Sequence, residues 1–330
     1  MTYWSHVQSA LGADGSTTTG TSVAVSFSAA VGAGHLVCGT VTWDNSASQT
    51  LSSVTDNASP SNTYNSVSYN DTVDFGGIAL FWLGDINSTT QPTTITAHFS
   101  ASTSYMRIVL DEFVGALPTA NPADKSGIVY VTSSTTGTSP SETTTVAGDL
   151  IYGVGWCESG ATPTFSAGSG FTATNNSSGT GVTLLVITEY KVQSSAGAVT
   201  ATIGISPAAT SVVGVLAIKP SLFAITSPSQ NATETATFSV TVNVDSGFTN
   251  VAGYDSTFTT KLCPDATPSG GVATIQCTPP TGTTAGSFTF GIAEFQTSPV
   301  LQLNQDLVIN WQPTTAAPLA FRPTKKYLRR

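Results

Sequence analysis

The sequence predicts an all-β protein built from tandem antiparallel β-sandwiches, jelly-roll or immunoglobulin-like, with no substantial helix. Three observations carry that prediction. Apolar and hydroxyl residues alternate with a period of two over strand-length segments. Clusters of Gly, Asn, Asp, Ser and Pro interrupt those segments roughly every 8–12 residues. No segment of helical length keeps an apolar stripe at i, i+3, i+4.

Taken in chain order, Ser22–Ser28, His35–Trp43, Thr94–Phe99 and Thr237–Val244 all read as strands. An internal echo organises the first two thirds. Gly34-His-Leu-Val-Cys-Gly-Thr-Val-Thr-Trp is answered by Gly148-Asp-Leu-Ile-Tyr-Gly-Val-Gly-Trp, and Thr94–Ser100 by Ala198–Gly204. A hydrophobic strand follows in each case, Ile108–Phe113 and Val212–Ile218. A spacing of about one hundred residues suits one sandwich per copy, and two halves of one larger sandwich would leave the same trace. The Ser/Thr-rich stretch Thr132–Thr145 reads as the seam, and Lys219-Pro-Ser as the next boundary. The expected division is a first sandwich over residues 1–132, a second over 133–220, a third over 221–315 and a basic tail over 316–330.

Composition narrows the function classes. Charged residues are 9% of the 330, against about 25% in an ordinary soluble domain. The longest apolar runs, Val182–Ile187 and Val212–Ile218, fall far short of the ~18–20 residues that span a bilayer, so no membrane insertion is expected. Aromatic and β-branched residues are too plentiful for disorder. Of ten Lys and Arg, five lie in the tail, so residues 1–321 carry 5 basic against 19 acidic groups, a formal −14, and the tail restores the total to −9. A body of that sign offers no basic stripe for phosphates, which argues against a nucleic-acid partner.

The search for chemistry finds little. The three His are His6, His35 and His98; His35 and His98 fall within strand patterns, and no Gly-x-Ser-x-Gly elbow is present. Asp71 with Asp74, and Asp111 with Glu112, are the closest carboxylate pairs, but the first reads as loop chemistry. The second alternates across a strand end, so its side chains point to opposite faces. No catalytic residue is expected. Asp44 and Asp56 stand at loop tips where calcium is the one ion the pattern would suit, although Asx residues favour turns on their own account; no other cofactor is expected. Trp43, Trp82 and Trp156 are the candidates for a sugar-stacking platform, with a shared core anchor at Trp43 and Trp156 the favoured reading. Cys263 and Cys277 bracket the turn Pro264–Gly271 and are expected to form a disulfide clipping a hairpin, a bridge of roughly 3 kcal/mol by loop entropy. Cys38 and Cys157 read as buried thiols.

Two resemblances add to this reading. Phe238-Ser-Val-Thr-Val-Asn-Val followed by Val251-Ala-Gly-Tyr resembles the opening strands of cohesin-like and related immunoglobulin-type sandwiches. Lys261-Leu-Cys-Pro stands where those proteins have Tyr-Asp-Pro, so dockerin-type binding is not implied. Ala33-Gly-His-Leu-Val, Trp43-Asp-Asn-Ser, Ser53-Val-Thr-Asp-Asn-Ala and Asn62-Thr-Tyr, echoed by Ala147-Gly-Asp-Leu-Ile and Ala167-Gly-Ser-Gly-Phe, are similar to repeated modules of phage structural and secreted bacterial proteins. That likeness implies a surface role and carries no catalytic residues.

The N-terminus shows no basic segment followed by an apolar one, so no secretory signal is read there. Together with the Ser/Thr/Gly-rich tandem sandwich and the basic tail, this predicts a non-enzymatic phage virion surface protein, a head decoration, fibre or tail-tip component that aids host attachment. The alternative is a secreted bacterial adhesin or carbohydrate-binding protein at the cell surface. Expected partners are further copies of the chain and other virion proteins, with cell-surface glycan as the ligand of the attachment role. Arg322, Lys325, Lys326, Arg329 and Arg330, with Tyr327 and Leu328 adding apolar contact, are expected to anchor the chain to its assembly.

Overall fold

The computed structural model describes residues 4–15, 19–44, 49–71, 76–86, 91–158, 163–180, 182–221, 224–228, 232–244, 249–255, 260–280, 283–295 and 302–312. Among them there is no helix, and the strands pair antiparallel with one exception. The chain forms two compact units, residues 1–222 and 223–330.

The first unit contains β1 (Ser5–Leu11), β2 (Thr19–Ser26), β3 (Leu36–Trp43), β4 (Leu51–Asp56), β5 (Asn65–Asp71), β6 (Gly76–Leu83), β7 (Thr94–Ser104), β8 (Arg107–Val114), β9 (Ala123–Thr138), β10 (Glu142–Thr143), β11 (Leu150–Glu158), β12 (Thr164–Ser166), β13 (Thr172–Ser177), β14 (Leu184–Val192), β15 (Ala198–Val199) and β16 (Thr202–Ile218). One sheet has the order β1-β8-β3-β6-β5. Along the C-terminal half of β16, a second has the order β9-β16-β11-β14-β13. The sequence echo therefore becomes a strand-for-strand repeat, with β3, β6 and β8 answered by β11, β14 and β16.

These two sheets pack face to face. Leu36, Ile78, Leu80, Val109 and Phe113 from the first share one core with Leu150, Val154, Trp156, Val186 and Leu216 from the second. The outer face of the first is covered by the sheet β2-β7-β4, with Trp43, Phe81, Ile95 and Phe99 between them. The outer face of the second is covered by β12 and the N-terminal half of β16, which bring Phe165, Ile203 and Ile205 onto Cys157, Ile187 and Val213. The unit is thus four layers deep. Both faces of the inner sheets are buried, which is why β3 is buried at all eight positions and reads as a continuous apolar run rather than an alternating one.

Two expectations are corrected here. The Ser/Thr-rich stretch read as a seam is largely strand: β9 runs to Thr138 and pairs with β16 along most of its length. Trp43 and Trp156 are not equivalent anchors. Leu36 and Leu150 occupy matching positions in the core between the inner sheets, but Trp43 is seven residues beyond the first and Trp156 six beyond the second. A one-residue difference reverses the face, so Trp43 points outward into its own sandwich and Trp156 inward toward the other copy.

The second unit contains β17 (Ala224–Ser227), β18 (Ala232–Glu234), β19 (Phe238–Asn243), β20 (Asn250–Asp255), β21 (Lys261–Ala266), β22 (Val272–Cys277), β23 (Gly286–Phe295) and β24 (Gln302–Trp311). They form a sandwich of sheets β17-β19-β22 and β18-β24-β23-β20-β21, in which β18 and β24 are the parallel pair. Here burial alternates cleanly along β19 and β22, as expected of sheets with one wet face.

Cys263 and Cys277 are bonded, but β21 and β22 are not paired with each other; they belong to different sheets. The bridge therefore staples one sheet to the other across the core instead of clipping a hairpin. It also explains the glycine of Val251-Ala-Gly-Tyr. A Cβ on Gly253 would collide with Sγ of Cys263 and press on Sγ of Cys277. Gly253→Ala should cost this unit about 1–3 kcal/mol through overpacking. Chemical denaturation checks it, and the loss should shrink without vanishing in a background with both cysteines replaced by alanine, because the Cβ at position 263 stays 2.8 Å from the added methyl.

Candidate functional site

Charged residues inside the apolar strands mark the chemically unusual positions, and two of them, Arg107 and Asp111, lie where the two sandwich copies meet. β8 carries three, in the run Arg107-Ile-Val-Leu-Asp-Glu-Phe-Val. Asp111 faces the second copy and Glu112 the opposite side, as strand alternation requires.

Each carboxylate has its own histidine. β1 lies beside β8 with a register shift: His6 opposes Phe113, Gln8 opposes Glu112, and Val7 is the extra residue, left 47% exposed. Bulges re-aim side chains. Without this one His6 and Gln8 would share a face; with it, His6 turns toward Asp111 and Gln8 toward Glu112. His6 Nε2 lies 3.0 Å from Asp111 Oδ1, while the ring stacks on Tyr190 and meets the edge of Phe113. Tyr152 donates its hydroxyl to Asp111 Oδ2 at 2.7 Å, and Asn175 Nδ2 reaches both oxygens at 3.3 Å. Burial pushes the Asp111 carboxyl up, and the hydrogen bonds from His6 and Tyr152 oppose that rise. Burial would also raise Glu112, but His35 Nδ1, the Gly32 N–H and Gln8 Nε2 together hold it below its usual range.

Further fastenings run in parallel. Arg107 is 4% exposed and donates through Nε to Gly12 O, through Nη1 to Leu184 O and through Nη2 to Ser177 Oγ. Asp14 accepts from the N–H groups of Thr183 and Leu184. Trp156 Nε1 donates to Thr40 Oγ1 at 2.9 Å, and Trp4 Nε1 to Gly148 O at 2.7 Å. Apart from the Arg107–Gly12 bond, which lies within the first copy, each of these joins the first copy or its flanks to the second.

What this arrangement does chemically is fasten. A triad needs a nucleophilic hydroxyl or thiol on the far nitrogen of the histidine. Among the described residues, the contacts of His6 are the Asp111 carboxylate and two aromatic rings. His98 stands apart in the outer sheet, with Nε2 2.9 Å from Thr55 Oγ1.

The remaining candidates fall as follows. Trp43, Trp82 and Trp156 are 1%, 6% and 1% exposed, so none presents a ring face to a sugar; their N–H groups serve Gln49 O, Asn121 Oδ1 and Thr40 Oγ1. Asp56 is a loop organiser: its carboxylate accepts from Ala58 N, Asn62 N, Asn62 Nδ2 and the Tyr64 hydroxyl, which leaves little lone-pair capacity for an ion. Asp44 takes Ser104 Oγ at 3.3 Å, while Asn45 lies outside the described residues. Among the described residues no three His, Cys, Asp or Glu gather as metal ligands. The Asp71 side chain, Asp74 and the whole tail, including Arg322, Lys325, Lys326, Tyr327, Arg329 and Arg330, also lie outside them. Cys38 and Cys157 are buried thiols, and burial raises the pKa of both.

Sequence reasoning placed Asp111 and Glu112 on opposite faces but missed their histidines, because the bulge at Val7 has no sequence mark. Arg107, Asp149 and Glu189 were legible in principle: each interrupts or borders an apolar run in a chain with few charges. No family model matches the chain, and no curated protein matches it.

Proposed function

We propose that the chain is a non-enzymatic structural protein of a virion surface, a head decoration, fibre or tail-tip component. The observation that carries this reading is how its buried polar groups are used. Arg107, Asp111, Asp14 and Trp156 fasten one sandwich copy onto the other instead of converging on an open cleft. Such a unit is a block with few charges, 9% of the chain, suited to being tiled or stacked. The scarcity of charge supports the same reading, since Lys and Glu are the residues that normally blunt sheet edges against association.

Particles purified by density gradient after lysis are the test. The chain should co-sediment with them at fixed stoichiometry, and antibody raised to residues 1–222 should decorate their surface. Recovery only from the bacterial envelope or medium, with binding to surface glycan, would replace this reading by the adhesin or carbohydrate-binding one.

A further inference from the structure

Three neighbouring strands bring a lysine and two aspartates to one end of the second inner sheet. Ile218, the last residue of β16, pairs with Leu150 on one side and Ala123 on the other. Lys219 follows β16, Asp149 precedes β11, and Asp124 is the second residue of β9. The ladder skips Asp124, since Ala217 opposes Lys125 while Ile218 opposes Ala123. Asp124 is therefore the extra residue of a bulge, turned out of the regular alternation.

The backbone of Lys219 is fixed on both sides: its N–H donates to Pro122 O and its carbonyl accepts from Leu117 N, both at 2.9 Å. Its Nζ lies 3.5 Å from Asp124 Oδ1. The Asp124 side chain is 2% exposed and is held by Thr145, whose N–H donates to Oδ2 and whose hydroxyl donates to Oδ1. Asp149 is wholly buried, no amide or hydroxyl donates to its carboxyl oxygens, and the groups acting on it are Asp124, through charge and a shared hydrogen bond, and Lys219, through charge.

An ion pair accounts for Lys219 and Asp124. Asp149 is the third member, hydrogen-bonded to Asp124, which places a proton between the two carboxyls. A buried carboxyl with no donor, set beside a second carboxyl, is stable there when it carries a proton. Burial first, and Asp124 second, push its pKa up to about 7. The cluster thus holds an amine, a polarised carboxyl and a proton carrier, with the amine 3.5 Å from the carboxyl oxygen Oδ1, so that attack on Cγ asks for a side-chain rotation and no movement of the strands.

We propose that Lys219 and Asp124 condense into an intramolecular amide, with Asp149 as the proton shuttle. The Lys219 ammonium passes a proton to the Asp124 carboxylate, and the neutral Nζ attacks Cγ of the resulting acid. The Nζ–Cγ bond forms, the Cγ–OH bond breaks, and the departing hydroxyl takes a proton from Asp149 to leave as water. Asp149 is reprotonated by the attacking nitrogen, which keeps one hydrogen as the amide N–H. The sum is ammonium plus carboxylate giving amide plus water, with no oxidant, reductant or co-substrate. The Thr145 N–H steadies charge on the oxygen that stays. Asp124 lies at the start of the second copy's first strand and Lys219 just past its last, so the bond closes that copy into a covalent ring. The proposal stands independently of the role assigned to the whole chain.

Intact mass of the purified full-length chain tests it. After allowing for the disulfide, the mass should fall short of the sequence by one water, and digestion should yield a branched peptide joining Lys219 to Asp124. Lys219→Arg, which keeps the charge, and Asp124→Ala should restore the full mass. Asp149→Asn should leave the circular dichroism unchanged while slowing or abolishing closure. Wild-type protein that is folded yet shows full mass after prolonged incubation from about pH 5 to about pH 8 would overturn the cross-link. So would a water deficit that maps elsewhere, such as a succinimide. Closure of Asp149→Asn at the wild-type rate would overturn the shuttle.

Discussion

Arg107→Ala is expected to lower the unfolding free energy of residues 1–222 by about 3–5 kcal/mol, the usual result of breaking a buried charged network from one side. The loss has three parts. The carbonyls of Gly12 and Leu184 lose their donor in a place water does not reach, and each such orphan costs roughly 1–3 kcal/mol. The side chain itself leaves a void between β8 and the β13–β14 pair. Asp14, whose charge acts favourably on the guanidinium, loses its counter-ion. Arg107→Lys should recover only part of the loss, because a single ammonium cannot span three acceptors that the planar fork reaches together. Chemical denaturation of the two variants settles it; a loss for Arg107→Ala below about 1 kcal/mol would put the group in the class of solvated surface ions.

The second large effect is on pH dependence, through Glu189. This residue is wholly buried in the second copy, accepts one hydrogen bond from the Gly168 N–H and leaves Oε1 without a partner. Burial pushes its pKa up to about 7, with the Gly168 N–H and Lys191 opposing. The folded state therefore holds this proton more tightly than the unfolded chain, whose Glu titrates near 4.3. Between those two values the folded state binds more protons, so stability falls as pH rises through the window and levels off above about 7. The integrated loss attributable to this one group is about 4 kcal/mol. Glu189→Gln should flatten the stability profile between about pH 5 and about pH 8 relative to wild type. Glu112 and Asp124 are held low, so their contributions fade at more acid pH. Asp149 and Asp85, raised to about 7 and about 6 by burial, slope both proteins alike and cancel in the difference. Identical slopes for the two proteins would mean that Glu189 is ionised and solvated in the fold.

The fold was legible where one physical rule decided it. Alternation in Thr237–Val244 marked the strand that became β19, and the echo Gly34–Trp43 against Gly148–Trp156 identified two equivalent strands. What was hidden is non-local. The four-layer stack follows from which faces of the two inner sheets meet, and an apolar run such as Leu36–Trp43 says only that both faces are covered, not by what. The one-residue difference that sends Trp43 and Trp156 to opposite sides was present in the letters, but the shared Trp invited the eye to align them. The bulges at Val7 and Asp124 left no signature, and with them went the His6–Asp111 contact and the meeting of Lys219 with two aspartates. The disulfide pairing was readable from the turn it brackets; that it joins two sheets depended on which strands β21 and β22 choose as neighbours.

The face-to-face contact between the two inner sheets has a consequence for dilution. Were the copies separate polypeptides, their association would follow mass action and fail at low concentration. Tethered within one chain, each copy meets the other at an effective concentration set by the connection, in the millimolar range for short linkers. β9 follows β8 after only eight intervening residues, Gly115–Pro122. The melting temperature of residues 1–222 should therefore be the same at nanomolar and micromolar protein. A component present in few copies per assembly would keep its doubled sandwich intact before it ever met its neighbours.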